Sequence, residues 1–167
     1  MKNKNVLFIC QAAMIAALYV VLTFVANAFG LASGAIQIRL SEVLTILPWF
    51  TPAAIPGLAI GCLLANWLTG CVILDILFGT AATFIGAWIT YGLRRLNIRW
   101  LAPVPPIVAN TLIVPWVLRF AYEMGDAIPY LMLTVGIGEF LSCGVLGMIL
   151  LFSLDRLPKS PFKTASP

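Results

Sequence analysis

Long runs of hydrocarbon side chains constrain this chain more than any other feature. Five stretches, residues 6–29, 52–69, 72–93, 103–122 and 128–154, are nearly uninterrupted by charge. A helix needs about 20 mostly apolar residues to cross a bilayer, and these stretches meet or approach that length. A sixth, residues 41–50, is half as long. Mean hydropathy is +1.04, and only 10% of residues are charged, which excludes an ordinary soluble domain. The chain reads as an all-α membrane protein. One bundle covers residues 1–157, and residues 158–167 form a short cytoplasmic tail.

Pro48, Pro52 and Pro56 crowd the end of the short stretch. Each lacks a backbone donor, so the chain kinks, breaks or turns there. Charge decides whether residues 41–69 cross once or twice, because Lys and Arg collect on the cytoplasmic side. With two passes, Lys2, Lys4, Arg94, Arg95, Arg99, Arg156, Lys159 and Lys163 share one side, eight of the ten cations. With one pass, the three arginines of the 93–100 connection fall outside. The expected architecture is therefore six transmembrane helices in one bundle with both termini cytoplasmic. The second helix is short and enters part-way from the outside. The turn near Trp49 and Pro52 need not reach the inner surface, provided that protein shields its backbone. Lys2, Lys4 and the sequence Ala26-Asn27-Ala28 imitate a cleavable signal around the first run. That run exceeds the usual apolar core of about 7–15 residues, and the charge asymmetry requires it, so it is read as retained.

Several chemistries are absent. There is no histidine, which removes histidine metal sites and histidine bases. Cys10, Cys62, Cys71 and Cys143 show no C-x-x-C spacing and read as buried packers. Neither a phosphate-binding G-x-x-x-x-G-K-[ST] loop nor a G-x-S-x-G elbow occurs, so the chain neither hydrolyses ATP by a P-loop nor shows a catalytic constellation. It is read as a non-enzyme with no metal site.

The remaining polar residues are few and costly in such surroundings. In the expected topology, Glu42, Asp75, Glu123, Asp126 and Glu139 lie outside or in the outer half, against Arg39 and Arg119. That surface attracts a cationic solute. Glu139 falls near mid-membrane in Gly136-Ile137-Gly138-Glu139. Its glycines admit a ligand or another backbone, and its carboxylate either binds solute or sits protonated against a neighbouring helix. Asp75 and Glu42 each fall in a first helical turn, where the helix dipole alone accounts for an acid. Ser41 is a candidate cap. Arg39 either pairs with Glu42 or donates to a ligand carbonyl. Arg119 and Glu123, four apart, read as a surface ion pair. Asn66 and Asn110 either bind solute or hold helices together, with Asn66 the stronger binding candidate and Asn110 deeper. Ala12, Ala13, Ala16 and Ala17 give the first helix a small-residue face, for a partner or for packing within the bundle.

One order of motifs adds a family. Gln37-Ile38-Arg39-Leu40-Ser41-Glu42 is followed by Ala54-Ile55-Pro56-Gly57-Leu58, Ala65-Asn66 and Leu74-Asp75. Then come Leu77-Phe78-Gly79-Thr80, Leu101-Ala102-Pro103-Val104-Pro105-Pro106, Asn110-Thr111-Leu112 and Gly136-Ile137-Gly138-Glu139. This pattern resembles the QueT family of queuosine-precursor transporters, substrate-binding S components of energy-coupling factor (ECF) transporters. The resemblance implies six helices and an outer solute pocket. It implies an aminomethyl deazaguanine or related deazapurine as cargo. It also implies a transmembrane coupling subunit and two cytoplasmic ATPases as partners, with the alanine face of the first helix as the docking surface. For that cargo, Glu139 is assigned to the guanine-like edge and Asp75 or Glu42 to the ammonium. Asn66 and Arg39 are assigned to carbonyl or ring contacts. Trp67, Phe78 and Tyr122 are equal candidates for stacking. Two other readings remain: a proton-coupled secondary carrier, with Glu139 or Asp75 carrying the proton, and a membrane assembly protein without solute.

Overall fold

The computed structural model describes residues 2–31 and 36–156, with side chains from Lys4 onward. The expected tail at 158–167, with Lys159 and Lys163, lies outside the described residues, as does the Lys2 side chain. Helices account for nearly all of the rest, and no strand occurs among the described residues. In order they are α1 (Lys2–Ala28), a 3-10 helix (Leu40–Trp49), α2 (Ala54–Leu68), α3 (Ile73–Leu93), two 3-10 turns (Arg94–Leu96 and Arg99–Leu101) and α4 (Val104–Phe120). There follow α5 (Ile128–Glu139), a π-helical stretch (Phe140–Leu146) and α6 (Gly147–Arg156). The last three run on as one rod, Ile128–Arg156.

Among the described residues, four helices are long and apolar enough to cross a membrane: Lys4–Ala28, Ile73–Leu96, Arg99–Phe120 and Ile128–Arg156. Two shorter apolar helices, Leu40–Trp49 and Ala54–Leu68, stand between the first and second of these. Large apolar side chains such as Ile9, Val21, Ile73, Leu77, Trp88 and Leu133 point outward. Water would penalise so continuous an apolar surface, whereas lipid accepts it.

The short helix is the centre of the bundle. It packs on α1, α2, α3, α6 and the π-helical stretch. Ser41, Glu42 and residues 44–48 are all buried, so it is enclosed on nearly every side. Its 3-10 form rises about 2 Å per residue rather than about 1.5 Å, so its ten residues reach about 20 Å. It runs back beside α1, which lets α2 lie parallel to α1. The two pack backbone to backbone: a Cβ added at Gly57 would meet Ala12 O at 2.8 Å, and one added at Gly61 would meet Tyr19 Cβ at 2.7 Å. Gly86 meets Pro106 in the same way where α3 packs on α4.

The turn after the short helix is sheltered. Thr51 and Ala53 have no exposure, and the Thr51 hydroxyl donates to Gln11 Oε1 at 3.0 Å. Gln11 lies about nine residues into α1, about 14 Å along its axis, so the turn sits well inside the bundle. At the end where α1 begins, Arg99 Nη2 pairs with Asp155 Oδ2 at 2.8 Å. Both groups are partly exposed, so the pair adds at most about 1 kcal/mol, but it joins the α3–α4 connection to the end of α6. Lys4, Arg94, Arg95, Arg99 and Arg156 thus share one end of the bundle.

The expected Arg119–Glu123 ion pair does not form. Helix α4 stops at Phe120, and Glu123 takes a left-handed φ of 53°, so the four-residue helical spacing is lost. Arg119 Nη1 instead donates to Met124 O at 2.6 Å.

Candidate functional site

At the end opposite the arginines lies a cavity of about 500 Å³. Four parts of the chain wall it. The last turns of α1 contribute Tyr19, Thr23 and Asn27, and the extended residues before the 3-10 helix contribute Gln37 and Arg39. Asn66, Thr69, Cys71 and Asp75 come from the α2–α3 connection and its flanks, and Tyr122 and Met124 follow α4. The α2–α3 turn is tight because Gly70 adopts a φ of 76°, a conformation that costs glycine little. Val72 is extended, so α3 begins at Ile73 and Asp75 falls in its first turn, where backbone N–H groups favour an anion.

Asp75 is buried and accepts a hydrogen bond from Tyr122 Oη at 2.9 Å. Burial, then the Asp75 carboxylate, pushes the Tyr122 hydroxyl well above its usual range, so it remains a donor. Arg39 faces the same cavity half-buried and feels the Asp75 and Glu42 charges. Among the described residues it closes neither an ion pair nor a side-chain hydrogen bond. Asn66 is buried at the wall, with Nδ2 3.6 Å from Cys62 Sγ. The cavity thus offers an acid, a guanidinium and an amide to one solute.

Glu42 and Glu139 are not in its wall. They lie beneath it, at 0% and 5% exposure. Tyr19 stands between: its ring lines the cavity and its hydroxyl donates to Glu42 Oε1. Cys143, on the widened π-helical turn after Glu139, donates to Glu139 Oε2 at 3.3 Å and touches Thr45 Oγ1 at 3.2 Å. Glu42, Glu139 and Cys143 each place a donor atom within 4.8 Å of the others, the set among the described residues most like metal ligands. Asn110 leans on both carboxylates, though its Nδ2 is too loosely placed to close a well-formed hydrogen bond, and Glu42 Oε2 accepts none either.

Of the five residues singled out for solute, then, Asp75, Arg39 and Asn66 meet in the cavity, and Glu42 and Glu139 meet below it. Of the three aromatic candidates Tyr122 reaches the cavity, whereas Trp67 and Phe78 are exposed on the outer surface. The alanine face divides. Ala12 and Ala16 pack against the α2 glycines, and Ala13 and Ala17 are exposed. Sequence reasoning missed Tyr19, Thr23 and Asn27. They were detectable: spaced by four, they form a polar stripe continuing from Gln11 along one face of α1.

Comparison with known proteins gives the family of the chain but not the arrangement of its site. A family model described as QueT transporter matches residues 9–156. The queuosine precursor transporter QueT of Lactococcus lactis subsp. cremoris (strain MG1363) is 33% identical over 85 residues, 51% of this chain and 50% of that protein. The match therefore spans about half the length of that relative. No solved structure matches.

Proposed function

The chain belongs to the QueT transporter family, and from that premise we propose that it is the substrate-binding membrane subunit of an ATP-driven ECF transporter. Its cargo is a queuosine precursor, an aminomethyl deazaguanine or related deazapurine, bound from the outer face. Six transmembrane helices with both termini cytoplasmic place the arginine-bearing end inside and the cavity outside. Energy comes from two cytoplasmic ATPases through a transmembrane coupling subunit. Ala13 and Ala17, the exposed half of the alanine face, supply the docking contact.

The observation that carries this reading is the cavity in which Asp75 and Arg39 face one space without closing an ion pair with each other. A carboxylate in a buried wall suits an ammonium, and a guanidinium suits a ring carbonyl or ring nitrogen. Asp75 takes the aminomethyl group, Arg39 and Asn66 take ring acceptors, and Tyr122 borders the ring. Glu139 takes the guanine-like edge in depth.

The test is calorimetric titration of the detergent-purified chain with a small purine panel, followed by uptake into vesicles with and without the coupling subunit and ATPases. Binding of the aminomethyl deazaguanine with ATP-dependent uptake is expected. A second reading, a proton-coupled carrier, draws on the buried pair Glu42 and Glu139. Uptake driven by a proton gradient without ATPases would establish it instead.

A further inference from the structure

Below the cavity, three buried side chains present a hydrogen-bonding pattern that their neighbours leave incomplete. Glu42 Oε2 and Asn110 Nδ2 close no well-formed hydrogen bond, though both residues are almost wholly buried and Asn110 leans on both carboxylates. Unmet polar atoms in such a place are costly and rare in folded chains. Glu139 completes the group, close to Glu42. Two carboxylates so near one another, away from water, repel unless hydrogen-bond donors come between them.

We propose that Glu42, Glu139 and Asn110 form a recognition subsite for the amino–lactam edge of a guanine-type ring. The inference rests on the deazaguanine cargo proposed above and assigns that cargo's edge to particular atoms. Such an edge carries an exocyclic amine, a ring N–H and a ring carbonyl in a row: two donors, then an acceptor. The subsite offers the complement, two carboxylate acceptors and one amide donor. The amine and ring N–H bind the two carboxylates, and Asn110 Nδ2 donates to the carbonyl. An adenine-type edge has a ring lone pair where the N–H should be and an amine where the carbonyl should be. It would turn a lone pair on a carboxylate and a donor on Asn110.

Tyr19 controls the way in. Its ring lines the cavity and its hydroxyl holds Glu42 Oε1, which leaves Oε2 for the ligand. Asp75 stays in the cavity above, where it meets the aminomethyl group.

The experiment titrates the detergent-purified full chain with deazaguanine, deazahypoxanthine (which lacks the exocyclic amine) and deazaadenine. Affinity is expected to fall about tenfold on losing the amine and about a hundredfold or more for deazaadenine. Asn110→Leu is expected to cost deazaguanine about tenfold and to leave deazaadenine no weaker, because the opposition of two donors at that position is removed. Equal affinity of the unmutated chain for all three probes overturns the subsite without any variant, and the unmet atoms are then served by buried water. In that outcome the cargo reading stands. Failure to bind any deazapurine, the aminomethyl compound included, overturns the cargo reading and the subsite together.

Discussion

Asp75 answers to three influences: the N-terminal dipole of α3, the Tyr122 hydroxyl and its own burial. It shares the cavity wall with Arg39 and closes no ion pair with it. Asp75→Asn keeps the volume and the Tyr122 contact and removes the charge. It should weaken binding of an aminomethyl deazaguanine about tenfold or more and leave uncharged deazaguanine nearly unaffected. Calorimetry decides, and equal losses for the two ligands would refute the ammonium role. Glu139→Gln should weaken both ligands alike, because it acts on the ring edge, and should not lower expression. Unaltered affinity for both would end its assignment. At these positions the sequence was informative, because an acid in a hydrocarbon run is conspicuous. It was silent on the approach of Asn110 to Glu42, which lie 68 positions apart and meet only through packing.

The helices succeed or fail on small residues. Gly61 lies so close to Tyr19 that a larger side chain must force α1 and α2 apart. Gly61→Leu should therefore destabilise the bundle by about 1–3 kcal/mol and disturb the Tyr19 wall of the cavity. Thermal unfolding in detergent would show the first effect and titration the second. The paired change Ala13→Leu and Ala17→Leu alters exposed positions, so it should spare solute binding and impair co-purification with the coupling subunit. Intact assembly would dismiss the docking role. The four alanines look equivalent in sequence. Only the parallel packing of α2 separates Ala12 and Ala16, which face its glycines, from Ala13 and Ala17, which do not. The short helix shows the same limit. Its length and prolines announced a break, but its 3-10 form and its place on the bundle axis follow from being enclosed by five neighbouring elements.

For the molecule as a whole, opposite ends carry opposite tasks: cations at one and the cavity at the other. In sealed vesicles, a membrane-impermeant maleimide should label Cys71, in the cavity wall, from the outside. Arg95→Cys should react only after the membrane is opened. Labelling of both from one side would overturn the six-pass topology. Hydropathy and charge bias were enough to establish a helical membrane bundle, its broken second segment and its polar candidates, because lipid tolerates so few alternatives. They could not divide those candidates between a cavity and a buried subsite beneath it. That division depends on which face each helix turns inward and on Tyr19 lying between the two groups. Both are consequences of side chains packing across long sequence separations, which a linear pattern does not carry.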